Sequence, residues 1–217
     1  MRSAKVLVRA AALAVACAAI VAVVGPAAGL DNRIKIVALG DSLTAGLGLT
    51  AEATFPARLA QALNAKGLPV DIVNAGVSGD TASSGLSRLD WAVPEGTDAV
   101  ILELGANDML RGIDPNITRK ALTEIIRRLT DRHVAVLLAG MRAAPNMGRD
   151  YAGAFDAIFP ALASRFDVVF YPFFLDGVAT EPGLNQQDGI HPTEAGVGVI
   201  VARMLPTAEK LVARIRP

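Results

Sequence analysis

The sequence predicts an α/β domain built on a mostly parallel sheet, and three observations carry that expectation. Short aliphatic runs alternate with amphipathic stretches of helical length from Arg33 onward. The runs read as strands buried on both faces, the pattern of a sheet covered by helices, not as half-exposed strands that alternate apolar and polar. Several of them end in loops of Gly, Ser, Asp and Asn, residues that break regular structure and build turns.

In chain order, the first strand is Ile34 to Leu39, closed by the turn Gly40-Asp41-Ser42. A helix follows over Phe55 to Lys66 and stops at Lys66-Gly67. Val70 to Asn74 is the second strand, leading through the glycine-bearing loop 75–81 into a helix over Thr81 to Trp91. Ala99 to Leu104 is the third, followed by Gly105-Ala106-Asn107-Asp108. Asp114-Pro115 signals the start of a helix over Asn116 to Arg132, because proline is pre-set for a first turn. Val134 to Ala139 is the fourth strand, Tyr151 to Phe166 the next helix and Val168 to Tyr171 the fifth strand. Pro172 to Gly189 has no period of its own, and loops of that length usually carry function or move. A helix over Thr193 to Arg214 closes the domain.

Residues 1–29 read as a secretory signal peptide: Arg2, Lys5 and Arg9, then an apolar run from Ala10 to Val24, then small residues to Gly29. Gly25-Pro26 would break an uncleaved anchor, although the uncharged stretch approaches the ~20 residues a spanning helix needs. The expectation is a periplasmic or secreted protein with no stable membrane insertion after leader removal. Residues 30–217 then form a single domain, large enough for a sizeable core. Losing three basic residues turns the balanced 21 basic and 21 acidic side chains into an acidic excess, which offers no footprint for nucleic acid or anionic lipid. The one cysteine, Cys17, lies in the leader, so the mature chain has neither a disulfide nor a thiolate nucleophile. A monomer is expected.

All strands of a parallel sheet point the same way, so every strand-to-helix loop meets one edge, where α/β proteins bind ligands. Ser42 falls in the first of those loops. A serine there can be a mere helix N-cap, so its company decides. A serine nucleophile needs a base, and the chain has two histidines. His133 precedes the fourth strand and belongs to the opposite edge; His191 alone falls on the active one. Asp188, three residues before it, can accept the Nδ1 proton and fix the tautomer, with Asp108 as the rival for that role. Donors for a tetrahedral oxyanion are available from the backbone N–H of Ser42 and of Gly79 and from the side chain of Asn107.

Other chemistries fit less well. The first loop lacks the Gly-Lys-Ser/Thr ending of a phosphate cradle. Asp41, Asp80 and Asp108 share the active edge, but no histidine or second carboxylate sits at ligand spacing with Asp41 or Asp80, which suit caps or loop ties, so no metal and no cofactor is expected. Met141, Met147 and Phe174, with Phe173 and Leu175, place apolar side chains on the active edge, where they suit an acyl or aryl pocket; core packing is the other possibility for the two phenylalanines.

Gly40-Asp41-Ser42-Leu43, Gly79, Gly105-Ala106-Asn107-Asp108 and Asp188-Gly189-Ile190-His191 occur in this order, and the chain thereby resembles the SGNH or GDSL hydrolases. Ser78-Gly79-Asp80-Thr81, Leu102-Glu103-Leu104-Gly105 and 155–160 are similar to the secreted bacterial branch called thioesterase I, lysophospholipase or arylesterase. The resemblance implies a three-layer flavodoxin-like fold with five parallel strands. It also implies a metal-free serine hydrolase of acyl and aryl esters, thioesters and lysophospholipids, with small-molecule or lipid esters as its partners. An acetyl-glycan esterase and a catalytically silent binding domain are the alternatives.

Overall fold

The computed structural model describes residues 33–215, and the leader expected at 1–29 lies outside them. Five strands, β1 (Ile34–Gly40), β2 (Val70–Gly76), β3 (Ala99–Glu103), β4 (Ala135–Ala139) and β5 (Val169–Tyr171), form one sheet in the order β2-β1-β3-β4-β5. Every neighbouring pair is parallel. The helices are α1 (Ser42–Ala45), α2 (Phe55–Ala65), α3 (Ala82–Ser87), α4 (Leu89–Ala92), α5 (Ala106–Leu110), α6 (Pro115–Asp131), α7 (Arg149–Asp156), α8 (Ile158–Phe166) and α9 (Glu194–Ile215).

Strand order determines the layers. The crossover from β1 to β2 runs outward in one direction and those from β3 to β4 to β5 in the other, so right-handed connections put α2 on one face and α6 and α8 on the other. The last helix, α9, packs on α2 and shares its face. Spacing of three and four residues supplies the apolar stripes: Phe55, Leu59 and Leu63 on α2, and Leu122, Ile125, Ile126 and Leu129 on α6, all fully buried. Between β1 and β3 the chain order reverses direction, and the loops after these two strands diverge to leave a crevice at their carboxyl ends.

The expected five parallel strands between helices are present, with three local corrections. The run at β2 is not buried on both faces: Val70 is buried, but Val73 is 58% exposed, because β2 is an edge strand with one neighbour. The helix expected over Thr81 to Trp91 is two, parted at Arg88, whose side chain reaches back to Asp80 and to the carbonyl of Gly40. The helix expected over Tyr151 to Phe166 is also two, parted at Ala157. Pro160 accounts for that break: it has no N–H for the carbonyl of Asp156, and its ring crowds that carbonyl.

The aperiodic stretch before α9 is pinned at several points. Phe174 and Val178 are fully buried, and the ring of Phe174 meets Phe55 edge-on with centroids 5.0 Å apart. Further along, Gln186 Nε2 donates to the carbonyls of Leu47 (2.7 Å) and Pro192 (3.0 Å), tying the arm to the loop after α1.

Candidate active site

Ser42 begins α1 directly beyond β1, which is why its hydroxyl stands at the carboxyl edge. Asp41 caps that helix, its Oδ1 accepting the N–H of Leu43 at 3.0 Å. From the pinned arm, His191 brings Nε2 to 2.8 Å from Ser42 Oγ. Its Nδ1 lies 2.6 Å from Asp188 Oδ2, while Asp188 Oδ1 accepts the backbone N–H groups of Ile190 (2.9 Å) and His191 (3.0 Å). These bonds, led by the His191 amide, hold the Asp188 carboxyl down at about 2. An ionised carboxylate only accepts, so it draws the imidazole proton to Nδ1 and leaves Nε2 bare toward the serine hydroxyl.

Asp108 is elsewhere. It is fully buried, with Oδ2 accepting the Ala82 N–H (2.8 Å) and Oδ1 the Thr118 hydroxyl (2.8 Å), and so ties α3 to α6. Asp80 receives Arg88 Nε at 2.6 Å. Asp41, Asp80 and Asp108 therefore all spend their carboxylates on protein donors. His133 is exposed with φ +58° just ahead of β4, at the opposite edge.

Among the three expected oxyanion donors, Asn107 and Ser42 line one cavity together with His191. Asn107 Nδ2 donates to Asp41 Oδ2 at 3.0 Å. Gly79 does not line the cavity; it sits on the loop after β2 with φ +87°, its carbonyl accepting Arg111 at 2.8 Å. That loop is fastened to the end of β1, Val77 N–H donating to the Gly40 carbonyl at 3.0 Å. Neither the amide of Ser42 nor that of Gly79 donates to a protein acceptor among the described residues.

The cavity measures about 390 Å³ and its walls are mostly apolar: Met109, Leu110, Met141, Phe173, Leu175 and Ile190. Met141 is placed there as expected, but Phe174 and Met147 are not. Phe174 turns inward to the core against Phe55, and the adjacent Phe173 turns outward to the cavity, under the Arg142 guanidinium at 5.2 Å. Met147 belongs to a short 3₁₀ turn, Pro145–Met147, beyond the cavity wall.

Sequence reasoning passed over Glu103, the last residue of β3. It is fully buried, and its Oε2 accepts the Thr44 hydroxyl (2.7 Å) and the Asp41 N–H (3.3 Å) while Oε1 has no partner. A single acid inside an otherwise apolar run was the available signal. Burial first, and then the nearby Asp41 charge, push its carboxyl well above the ordinary glutamate value of 4.5. Burial likewise raises Asp41, to about 6. An acid that holds its proton more tightly when folded gives the native chain more bound protons than the unfolded one, so its contribution to stability falls as pH rises above the ordinary value. Glu103→Gln, which keeps an acceptor without the charge, should therefore melt higher than wild type at about pH 8, with the gap closing toward pH 4.5. Thermal melts across that range check it, and a gap independent of pH would refute it.

Comparison with known proteins agrees with this geometry. The GDSL-like Lipase/Acylhydrolase family model matches residues 38–199. The chain is 40% identical over 159 residues to an arylesterase of Vibrio mimicus, covering 73% of this chain and 80% of that one. It is 39% identical over 178 residues to thioesterase 1/protease 1/lysophospholipase L1 of Escherichia coli (strain K12), covering 82% and 84%. A crystal structure of TesA is similar with a TM-score of 0.78 at 35% identity, covering 82% of this chain and 99% of that one. The chain belongs to the GDSL-like Lipase/Acylhydrolase family and is a hydrolase.

Proposed function

We propose that the chain is an exported serine esterase that hydrolyses acyl and aryl esters and thioesters through an acyl-enzyme. The observation that carries this reading is the relay of two contacts, Ser42 Oγ to His191 Nε2 at 2.8 Å and His191 Nδ1 to Asp188 Oδ2 at 2.6 Å. Ser42 attacks the substrate carbonyl while Nε2 takes its proton, and Asp188 holds the imidazolium that forms. The N–H groups of Ser42 and Gly79 and the Asn107 amide receive the oxyanion. His191 then hands its proton to the leaving alcohol or thiol, the tetrahedral centre collapses to an ester on Ser42, and water repeats the sequence in reverse roles.

Substrate class follows from the cavity wall. Met141, Phe173, Leu175 and Ile190 offer apolar contact and few hydrogen-bond partners, which suits an acyl chain or aryl ring better than an acetylated sugar. The relatives named arylesterase and thioesterase 1/lysophospholipase L1 support the same class. The chain is read as a monomer, and residues 1–29 would direct it to the periplasm or beyond. Among the described residues, no helix is long and apolar enough to cross a membrane.

A fluorophosphonate probe tests the reading. Wild type should be labelled covalently, Ser42→Ala should not, and folded wild type that stays unlabelled would overturn the serine mechanism in favour of a binding domain.

A further inference from the structure

A carboxamide has a donor end and an acceptor end of nearly the same shape, and only the donor end stabilises an oxyanion. Something must therefore choose which end of Asn107 faces the cavity. We propose that Asp41 makes that choice: its buried carboxylate is a positioning residue that holds Asn107 with Nδ2 toward the reacting carbonyl. The inference rests on the esterase reading above.

The contacts leave little freedom. Asp41 Oδ2 accepts Asn107 Nδ2 at 3.0 Å, and an ionised carboxylate cannot donate, so the Asn107 carbonyl oxygen is barred from that place. One Nδ2 hydrogen is spent on Asp41 and the second remains for the cavity that Asn107 shares with Ser42 and His191. The other carboxylate oxygen, Oδ1, is already taken by the Leu43 N–H at 3.0 Å. One side chain thus sets the turn that bears the Ser42 amide and the rotamer of the Asn107 amide. Asp41 is itself fully buried, a costly place for a carboxylate unless its donors are fixed.

The surroundings hold Asp41 in place from below. Glu103 Oε2 accepts its N–H at 3.3 Å and the Thr44 hydroxyl at 2.7 Å. Gly40, before it, has no room for a side chain: an added Cβ would stand 2.1 Å from Thr44 Oγ1 and 2.6 Å from Glu103 Oε2. The backbone carrying Asp41 is therefore packed too tightly to follow Asn107 if the amide turned over.

Asparagine is the informative replacement at position 41. Its oxygen can keep the Leu43 N–H, but its NH₂ then faces the NH₂ of Asn107, two donors without an acceptor. The Asn107 amide relieves this by flipping, which aims its oxygen at the developing anion. Serine is the second variant: its hydroxyl is a good helix cap for the Leu43 N–H, yet it is too short to hold Asn107.

The test is a double-mutant cycle on a p-nitrophenyl ester at about pH 8, above the value near 6 to which burial raises the Asp41 carboxyl. Asp41→Asn and Asp41→Ser should each lower kcat by on the order of 10²–10³, the cost of one oxyanion donor, with KM little changed. On an Asn107→Ala background the same substitutions should cost no more than about threefold, because the group they act through is gone. A loss of equal size in both backgrounds, or an unchanged kcat in the Asp41 variants, would overturn the proposal. Thermal melts identify any variant that has failed to fold, and the serine variant then decides. If wild type neither turns over esters nor takes the phosphonate, the esterase reading falls and this inference with it; an active wild type with an additive cycle removes this inference alone.

Discussion

Replacing His191 with alanine should lower kcat by on the order of 10⁶, about as far as removing Ser42 itself, and the Ser42→Ala/His191→Ala pair should fall no further. In the proposed mechanism the serine hydroxyl, scarcely ionised at neutral pH, borrows its reactivity from the base 2.8 Å away. No second base can replace it. The other histidine, His133, is exposed at the far edge of the sheet, and Asp41 is occupied by Leu43 and Asn107. Nucleophile and base thus form one unit, which is why their losses should not add. Initial rates with an activated ester give the measurement, and a loss below about tenfold for His191→Ala would mean that another group takes the proton.

Asp188→Asn should cost about 10⁴ in kcat while leaving the fold intact. The new oxygen can keep the N–H groups of Ile190 and His191, so the turn survives. Its NH₂, however, now faces Nδ1, which must become an acceptor and so sends the ring proton to Nε2, where it blocks the serine. Asp188 is held at about 2, so in wild type it stays ionised across the working range, and loss of activity on acidification comes from elsewhere. Asp108→Asn should behave in the opposite way. Its new oxygen can keep the Ala82 N–H, but its NH₂ then donates to the Thr118 oxygen, and the Thr118 hydroxyl hydrogen loses its acceptor in a fully buried place, at a cost of about 1–3 kcal/mol of stability, with kcat of the folded protein nearly unchanged. Denaturation midpoints and rates for the two variants separate the roles; a turnover loss larger for Asp108→Asn than for Asp188→Asn would reverse them.

The sheet was legible because its signal is collective. Runs such as Ile34 to Leu39 and Ala99 to Leu104 are too apolar to be anything but covered strands, and their order places their loops on one edge. The placement of Ser42, Asn107 and His191 followed from that edge rule. Less legible were features fixed by tertiary neighbours. Whether Phe173 or Phe174 faces the cavity depends on how the arm enters after β5, and Phe55 settles it by offering an edge-on partner to one of them. The exposure of β2 depends on its being an edge, which a single strand cannot announce, although Asp71 and Asn74 within it are polar. The break at Arg88 is a long-range pull on its side chain by Asp80 and Gly40, invisible to helical periodicity. Glu103 was visible as an oddity in an apolar run, but its purpose required seeing Thr44 and Asp41 meet it.

Ser42 and His191 are 149 residues apart, yet Asp188 and His191 are neighbours in a single turn. The acid–base pair is thus a local contact, whereas the contact between base and serine closes only when the last part of the chain docks through Phe174, Val178 and Gln186. A nascent, truncated or half-folded chain carries its serine without its base. Hydrolytic competence thus reports completion of the fold, and a hydrolase arranged in this way is kept harmless during its own synthesis.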